Sequence, residues 1–196
     1  MSKVSCIVLA AGAGRRMGHD ENKIFIKLGN KSIIQWTLSN IEQVKAVSEV
    51  ILVVADGEAA YMEQHIVSLG LSKSIKIITG GRERQDSVYA GLQAVGDDID
   101  IVLVHDGARP LAKPELFERV IEGAKTHGAV TIGVPSTDTI KRVDIDGQVL
   151  ETLNRNELMN IQTPQGFLKD IFKEAQKTAK RDAYLGTDDV SLVEYI

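Results

Sequence analysis

The stretch VSCIVLAAG, residues 4–12, joins a short apolar run to the start of a glycine-rich loop. Near-continuous apolar runs of this kind are typical of strands that are covered on both faces, as in a parallel sheet. Four further runs rich in Val and Ile follow it, at residues 50–55, 75–79, 99–105 and 129–135. Each run predicts a buried strand.

Helix-like stretches separate these runs. Ser32 can cap a helix over residues 33–41, in which Ile and Leu fall near one face. Residues 58–69 and 114–126 have a similar pattern, and residues 188–196 resemble the opening of an amphipathic helix. Strands that alternate with helices are typical of βαβ units, so the sequence predicts an open α/β sheet with helices on both faces.

Length and charge limit the classes of protein to consider. The chain has 196 residues, with 23 Lys and Arg against 27 Asp and Glu. A chain of this length buries roughly two-thirds of its unfolded surface, which favours a single domain over residues 1–196. A net charge of -4 argues against a general nucleic-acid-binding protein. However, residues 1–31 hold six Lys or Arg and two Asp or Glu, so the first loop lies in a basic segment.

Cellular location follows from apolar runs and cysteine usage. No apolar stretch approaches the ~18 residues of a membrane span, and the amino terminus lacks the pattern of a secretory signal. The single Cys6 lies in the first apolar run, where a buried thiol behaves as a small hydrophobe. We expect no membrane association and a reducing cytoplasm.

Residues 137–156 depart from the strand–helix alternation. Polar and apolar residues alternate there around Asp146-Gly147, a strong signal for a tight turn. This pattern predicts a β-arm inserted into the α/β domain. The arm is either a surface excursion or a grip on a partner subunit.

The loop after the first strand is suited to a polyphosphate. Gly12 and Gly14 allow backbone amides to approach an anion, and Arg15, Arg16 and Lys23 add positive charge. The ending of a P-loop is absent, and Met17 occupies the third glycine position of the dinucleotide fingerprint.

Two later loops also follow predicted strands. Gly80-Gly81 precedes a helix that contains Val88, and either Asp86 or Ser87 serves as its N-cap or contacts a ligand. The third loop carries Asp106 and Arg109, charges that are costly to hold at a strand end without a polar partner or a metal. We interpret His105, just before them, as structural rather than as a base. The four histidines are too widely separated in the sequence to indicate a zinc site.

An ordered set of motifs runs along nearly the whole chain. The motifs are LAAGxGxRMG at 9–18, GG with RxDSV at 80–88, HDGARP at 105–110, DTIK at 138–141, RN at 155–156 and QTPQ at 162–165. This ordered set resembles the 2-C-methyl-D-erythritol 4-phosphate cytidylyltransferase family. The resemblance implies a Rossmann-like nucleotidyltransferase fold of three layers, with a twisted, mostly parallel mixed sheet and an extended β-arm. It also implies transfer of a cytidylyl group from CTP to methylerythritol phosphate, with release of pyrophosphate.

The resemblance further implies roles for individual residues. Arg16 and Lys23 stabilise the transition state. The positions that match CTP contacts are Ala10, Ala11, Gly12, Gly14, Gly81, Arg82 and Ser87. The positions that match methylerythritol phosphate contacts are Asp106, Arg109, Thr139, Arg155 and Thr163, partly supplied across a homodimer by the arm. The expected cofactor is Mg²⁺ bound mainly through CTP phosphates, with no protein ligand assigned.

One departure from the family concerns the end of the chain. Family members carry an Asn-Ile-Lys segment beyond the region matched here, and its lysine lies in the active site. We therefore expect that a carboxyl-terminal segment is missing, that the full-length protein is active and that this form is weak or inactive. The alternatives are a ribitol-5-phosphate cytidylyltransferase, whose motif tends to be LAGG where this chain has LAAG at 9–12, and a catalytically weak CTP-binding subunit.

Overall fold

A computed structural model of the protein describes residues 2–12 and 22–196. Its centre is a six-stranded sheet with the order β5-β4-β1-β6-β10-β7. The strands of this sheet are β1 (Val4–Leu9), β4 (Val47–Val54), β5 (Ser74–Thr79), β6 (Ile101–Asp106), β7 (Ala129–Pro135) and β10 (Met159–Leu168). All neighbouring pairs are parallel except the two that β10 makes with β6 and β7. The α/β class and the mostly parallel mixed sheet predicted from the sequence are confirmed.

Helices cover both faces of this sheet. They are α1 (Ile33–Glu42), α2 (Ala59–Val67), α3 (Arg84–Ala94), α4 (Pro114–His127), α5 (Lys169–Arg181) and α6 (Val190–Glu194). Alternate residues of the central strands enter two separate cores. Cys6 and Leu52 share one core with Phe117 of α4, whereas Ile7 and Val53 share the other with residues of α3 and α5. This division is why the strands appear in the sequence as continuous apolar runs.

The predicted start of α1 is confirmed in detail. Ser32 caps the helix by accepting a hydrogen bond at Oγ from the Gln35 N–H, and the Gln35 side chain accepts one from the Ser32 N–H. Of the two alternatives for Asp86 and Ser87, the N-cap is wrong, because the N-cap of α3 is Glu83, and contact with a ligand stays a prediction. Asp86 lies inside the first turn, where its carboxylate accepts a hydrogen bond from the Glu83 N–H at 3.1 Å.

Two elements are absent from the sequence prediction. Strand β10 contains Pro164, and its pairing with β7 is interrupted between Gln162 and Gly166. Helix α5 follows β10 directly and places Phe172 in the second core, stacked on Phe167 of β10. Strand β10 lies between β6 and β7 in the sheet, and α5 packs on one face of it.

The predicted core thiol is also confirmed. Cys6 is fully buried, and burial raises the pKa of its thiol to about 12. The thiol therefore stays protonated at neutral pH and packs as a small hydrophobe. In the described part of the chain, no helix is both long and apolar enough to cross a membrane.

Residues that follow β7 form a hairpin outside the main sheet. Its strands are β8 (Lys141–Val143) and β9 (Val149–Thr152), which pair antiparallel. The turn between them closes with a hydrogen bond from the Gly147 N–H to the Asp144 carbonyl at 3.1 Å, and Gly147 has a φ of 82°. A separate two-stranded piece, β2 (Lys27–Leu28) with β3 (Lys31–Ser32), precedes α1.

Candidate active site

Three loops meet at the edge of the sheet where its parallel strands end. Beyond β1, the Ala10 N–H donates to the Val53 carbonyl at 2.7 Å. The Gly80 N–H, after β5, donates to the Val54 carbonyl at 2.8 Å. The Gly107 N–H, after β6, donates to the Leu9 carbonyl at 2.9 Å. These bonds extend the sheet beyond its strands and bring the three sequence-predicted loops side by side, at the edge where open α/β sheets bind ligands.

Gly80 allows the first and second loops to touch. A Cβ at this position would lie 2.7 Å from Ser87 Oγ and 3.1 Å from Ala11 Cβ. A larger residue would therefore separate the loop after β1 from the start of α3. The close approach explains why a glycine stands here, independently of any ligand.

The Ser87 side chain is used inside this loop. Ser87 is 5% exposed, and its Oγ accepts a hydrogen bond from the Gly81 N–H at 3.1 Å. Its hydroxyl lies 3.1 Å from the Glu83 carbonyl, to which it donates. Ser87 thus fixes the Gly81 backbone, while the neighbouring Arg82 is exposed.

Asn22 places Lys23 next to the first loop. The Asn22 amide donates to the Ala10 carbonyl at 2.8 Å, and its oxygen accepts from the Ile24 N–H at 3.4 Å. Lys23 begins a short 3-10 helix held by this contact. Gly14, Arg15 and Arg16 lie outside the described residues.

Asp106 is the centre of a cluster of charges at the end of β6. Arg109 Nε donates to Asp106 Oδ2 at 3.0 Å, which brings the two residues predicted for the third loop together. Arg84 Nη2 lies 3.7 Å from Asp106 Oδ1, and Arg84 Nη1 lies 2.7 Å from Asp189 Oδ2. No pattern in the sequence points to Asp189 as a site residue, and none shows that its carboxylate is buried.

The charges in this cluster shift one another's protonation. Burial raises the pKa of Asp189 to about 6, with the carboxylates of Asp188 and Asp106 acting in the same direction and Arg84 opposing them. The pKa of Arg84 is raised, because the carboxylates around it outweigh the effect of its own burial. Arg84 therefore stays charged, whereas Asp189 approaches titration near neutral pH.

Thr163 and His105 support Asp106 from β10 and β6. The Asp106 N–H donates to Thr163 Oγ1 at 3.1 Å, and His105 Nδ1 lies 3.1 Å from the same oxygen. Burial lowers the pKa of His105 to about 4, so the ring is neutral at pH 7 and shares a hydrogen bond with the Thr163 hydroxyl. This geometry agrees with the structural interpretation of His105.

The arm keeps two predicted residues away from this cluster. Thr139 and Arg155 are exposed, and the Arg155 Nη1 donates to the Thr137 carbonyl at 3.4 Å. Within residues 22–196, neither residue has a hydrogen bond or ion pair with Asp106 or Arg109.

A divalent cation at this site would find few protein ligands. In residues 2–12 and 22–196, no group of three or more His, Cys, Asp or Glu side chains is arranged to hold a metal. The two oxygens of Asp106 already face Arg109 and Arg84. This donor set fits an ion that is held by substrate phosphates and water better than one held by a protein cage.

Comparisons of sequence place the chain among named enzymes. A family model described as IspD, 2-C-methyl-D-erythritol 4-phosphate cytidylyltransferase, matches residues 4–196. A protein of that name from Pelotomaculum thermopropionicum is 44% identical over 197 residues, covering 100% of this chain and 83% of the relative. Another, from Alkaliphilus metalliredigens, is 46% identical over 194 residues, covering 98% of this chain and 80% of the relative.

Solved structures agree with this assignment. The 4-diphosphocytidyl-2C-methyl-D-erythritol synthase from Anaerococcus prevotii superposes with a TM-score of 0.88 at 32% identity, covering 99% of this chain and 82% of that one. The 2-C-methyl-D-erythritol 4-phosphate cytidylyltransferase from Thermus thermophilus gives a TM-score of 0.78 at 28% identity, covering 98% and 84%. The family match over nearly the whole chain, together with these relatives, shows that this chain belongs to the IspD family of 2-C-methyl-D-erythritol 4-phosphate cytidylyltransferases.

Proposed function

We propose that the chain transfers the cytidylyl group of CTP to 2-C-methyl-D-erythritol 4-phosphate and releases pyrophosphate. The observation that carries this proposal is the meeting of three family motifs at one edge of the sheet. There the loop after β1 touches Gly80, and the Gly107 N–H is bonded to the Leu9 carbonyl. A nucleotide and a polyol phosphate bound at this edge would be neighbours.

The reaction needs no protein nucleophile. A phosphate oxygen of the polyol phosphate attacks the α-phosphorus of CTP, and the bond from that phosphorus to the bridging oxygen of pyrophosphate breaks. Because the attacking oxygen is already anionic, no general base is required, and the protein's task is alignment and charge neutralisation. We assign the neutralisation to Arg16 and Lys23.

The CTP side of the site is the backbone of the first two loops. We propose that Ala10, Ala11, Gly12 and Gly14 surround the triphosphate. Gly81, Arg82 and Ser87 complete the nucleotide site from the second loop. Support comes from the contact between Ala11 and the Gly80 position, and from the Ser87 hydroxyl that orients the Gly81 amide. When bound, Mg²⁺ would screen the repulsion between the triphosphate and the incoming phosphate.

The polyol phosphate side is charged. We propose that Asp106 accepts hydrogen bonds from the hydroxyl groups of the substrate, while Arg109 contributes positive charge beside it. Thr163 Oγ1 accepts a hydrogen bond from the Asp106 N–H at 3.1 Å and thereby fixes the Asp106 backbone in the site.

Thr139 and Arg155 are proposed to act across a homodimer. The arm that carries them exposes apolar side chains that a single chain leaves uncovered, with Ile145 99% exposed and Val149 and Leu150 each more than half exposed. Exposed apolar groups on a projecting hairpin favour a protein interface. A cytoplasmic location stays a prediction.

Turnover with two polyol phosphates tests the reaction directly. The protein is mixed with CTP and Mg²⁺ and either 2-C-methyl-D-erythritol 4-phosphate or ribitol 5-phosphate, and pyrophosphate release is measured. We expect release with the first substrate at a kcat/KM at least about tenfold higher than with the second, the discrimination expected from one lost substrate contact. Equal rates would favour the ribitol-phosphate alternative, and CTP binding without release would favour a non-catalytic subunit.

Mixed dimers test the position of the arm. Arg155→Ala should lose activity alone, and dimers formed with an otherwise inactive Lys23→Ala chain should regain part of it, because one composite site then holds an intact Lys23 and an intact Arg155. Absence of any regained activity in dimers verified by two distinct affinity tags would contradict supply of Arg155 in trans.

A further inference from the structure

Asp189 is a buried carboxylate that the reaction proposed above does not use. Its side chain is 1% exposed, and Arg84 Nη1 lies 2.7 Å from its Oδ2. The Arg84 side chain is 39% exposed, so only the carboxylate is taken out of water. Because that desolvation offsets the attraction between the two charges, the pair is weak evidence for stability. The location of this pair, beside Asp106, suggests a role in the site instead.

Arg84 lies between two carboxylates and favours one of them. Its Nη1 is 2.7 Å from Asp189, but its Nη2 is 3.7 Å from Asp106 Oδ1, beyond hydrogen-bond distance. Arg109 bonds the other oxygen, Oδ2, at 3.0 Å. Asp106 is therefore oriented by one cation and approached by a second, while Oδ1 has no hydrogen bond from either guanidinium.

The position of Asp189 is fixed from β10. The Asp189 N–H donates to Gln165 Oε1 at 3.2 Å, and Gln165 Nε2 donates to Asp188 Oδ2 at 2.7 Å. Gln165 is 1% exposed and lies two residues from Thr163, which accepts from the Asp106 N–H. The network thus forms a closed path. It runs from Asp106 of β6 to Arg84 of α3, then to Asp189, and returns to Asp106 through Gln165 and Thr163 of β10.

We propose that Arg84 and Asp189 are positioning residues for Asp106, and that Asp189 holds the Arg84 guanidinium away from the carboxylate that receives the polyol phosphate. The inference deepens the proposed function and rests on it. Without the Asp189 charge, Arg84 turns toward Asp106, and Oδ1 becomes engaged by a guanidinium instead of a substrate hydroxyl. Affinity for the polyol phosphate then falls, whereas CTP binding at the first two loops does not change.

The same network makes polyol phosphate binding depend on pH. Within residues 2–12 and 22–196, the charged groups that face Asp189 are Arg84 from α3, Asp106 from β6 and Asp188 from its own segment, and β10 contributes the neutral amide of Gln165. Burial raises the pKa of Asp189 to about 6. As the pH falls through this value, Asp189 takes up a proton, its attraction for Arg84 is lost, and Arg84 is released toward Asp106.

Two variants and a pH series test the proposal. Asp189→Asn should raise the KM for methylerythritol phosphate about tenfold, the effect of losing one charge-assisted hydrogen bond, while the Kd of CTP stays within about twofold of the parent. Adding Arg84→Gln to this variant removes the competing guanidinium, so the KM of the double variant should return to within about threefold of the parent. The ratio of variant to parent KM should shrink from pH 7.5 to pH 5.5, because the parent itself loses the Asp189 charge there.

Glu49→Gln is the matched control. Glu49 has a side chain 10% exposed and pairs with Lys76 Nζ at 2.7 Å, near the amino end of β4 and outside the site. This variant should leave the polyol phosphate KM unchanged. If Asp189→Asn does not fold, the parent and the double variant decide: from pH 7.5 to pH 5.5 the polyol phosphate KM of the parent should rise relative to that of the double variant, and equal pH dependence would overturn the inference.

Three results would overturn the inference: a parental KM in Asp189→Asn, an equal loss of CTP and polyol phosphate affinity, or a double variant no better than the single one. The parent's own substrate binding separates this outcome from a failure of the proposed function. A parent that binds neither CTP nor the polyol phosphate refutes the proposed function, whereas a parent that binds both, with unaltered polyol phosphate affinity in the variants, refutes only the positioning role.

Discussion

The two halves of the proposed site are built from different parts of the polypeptide. The nucleotide half is mainly backbone, in loops that approach closely because position 80 has no side chain and because Ser87 bonds the Gly81 amide. The polyol phosphate half consists of charged side chains around Asp106. Adding a side chain to a loop glycine should weaken nucleotide binding, because it separates the backbone groups. Removing a charged side chain should weaken polyol phosphate binding. The two halves should therefore respond to different substitutions and in different kinetic parameters.

Lys23→Ala should have the largest effect. If Lys23 acts on the charge that develops during transfer, its loss should lower kcat about 100- to 1000-fold with a much smaller change in either KM. Steady-state kinetics with both substrates measures this. Lys27→Ala, an exposed lysine four residues later, should be close to the parent. A change confined to the KM for CTP would show that Lys23 binds the nucleotide and does not stabilise the transition state.

Acid should lower the free energy of unfolding through His105, which lies next to Asp106. Burial lowers its pKa to about 4 in the folded protein, against 6.5 as its ordinary value. Folding therefore favours the neutral ring, so this contribution to stability is complete above pH 6.5 and is lost as the pH falls toward 4. The loss amounts to about 3 kcal/mol at pH 4.

Urea unfolding at several pH values measures this contribution. Asp189, whose pKa is raised to about 6, acts in the opposite direction and favours folding as the pH falls. The difference between the parent and His105→Gln isolates His105 and should shrink on acidification. The exposed His127→Gln should keep the parental pH dependence. A His105→Gln curve parallel to the parent's would refute this account.

Gly81→Ala should have a smaller effect, confined to the nucleotide half. An added Cβ would overlap Asp86 Cβ and lie 3.2 Å from the Asp86 backbone carbon, so the loop must shift. Overpacking of this kind costs about 1–3 kcal/mol, which corresponds to a rise in the KM for CTP of roughly 5- to 150-fold. The KM for the polyol phosphate should change little. Gly123→Ala, within α4, serves as the control, and equal effects on both substrates would contradict separate halves.

The sequence predicted most of the fold because its central strands lie between two apolar layers. The runs at 4–9 and 99–105 became the buried strands β1 and β6, and the run at 50–55 became the end of a longer β4. The runs at 75–79 and 129–135 became β5 and β7, but the prediction that they are buried was wrong, because both lie at the edges of the sheet and have no buried residue. Strand β10 could not be predicted in this way, since it carries Pro164 and three polar residues within 162–165. Its antiparallel direction depends on packing between β6 and β7, which no local pattern encodes.

The site was predicted less completely than the fold. Asp106 and Arg109 were placed together correctly, because residues three apart after a strand share one loop. The pairing of Arg84 with Asp189 joins residues more than one hundred positions apart and depends on how the chain after α5 returns to the sheet. Asp189 had no sequence signal of burial, because a carboxylate beside α6 is ordinarily expected in solvent.

The arm begins and ends at two residues that pair with each other, so it could be removed or exchanged as a unit. Pro135, where the chain leaves β7, lies opposite Met159, where it enters β10. Deleting the residues between them would leave two ends already side by side, which a short turn could rejoin at little entropic cost. If the arm forms the subunit interface proposed above, exchanging this hairpin between relatives should change subunit association while the six-stranded sheet stays the same.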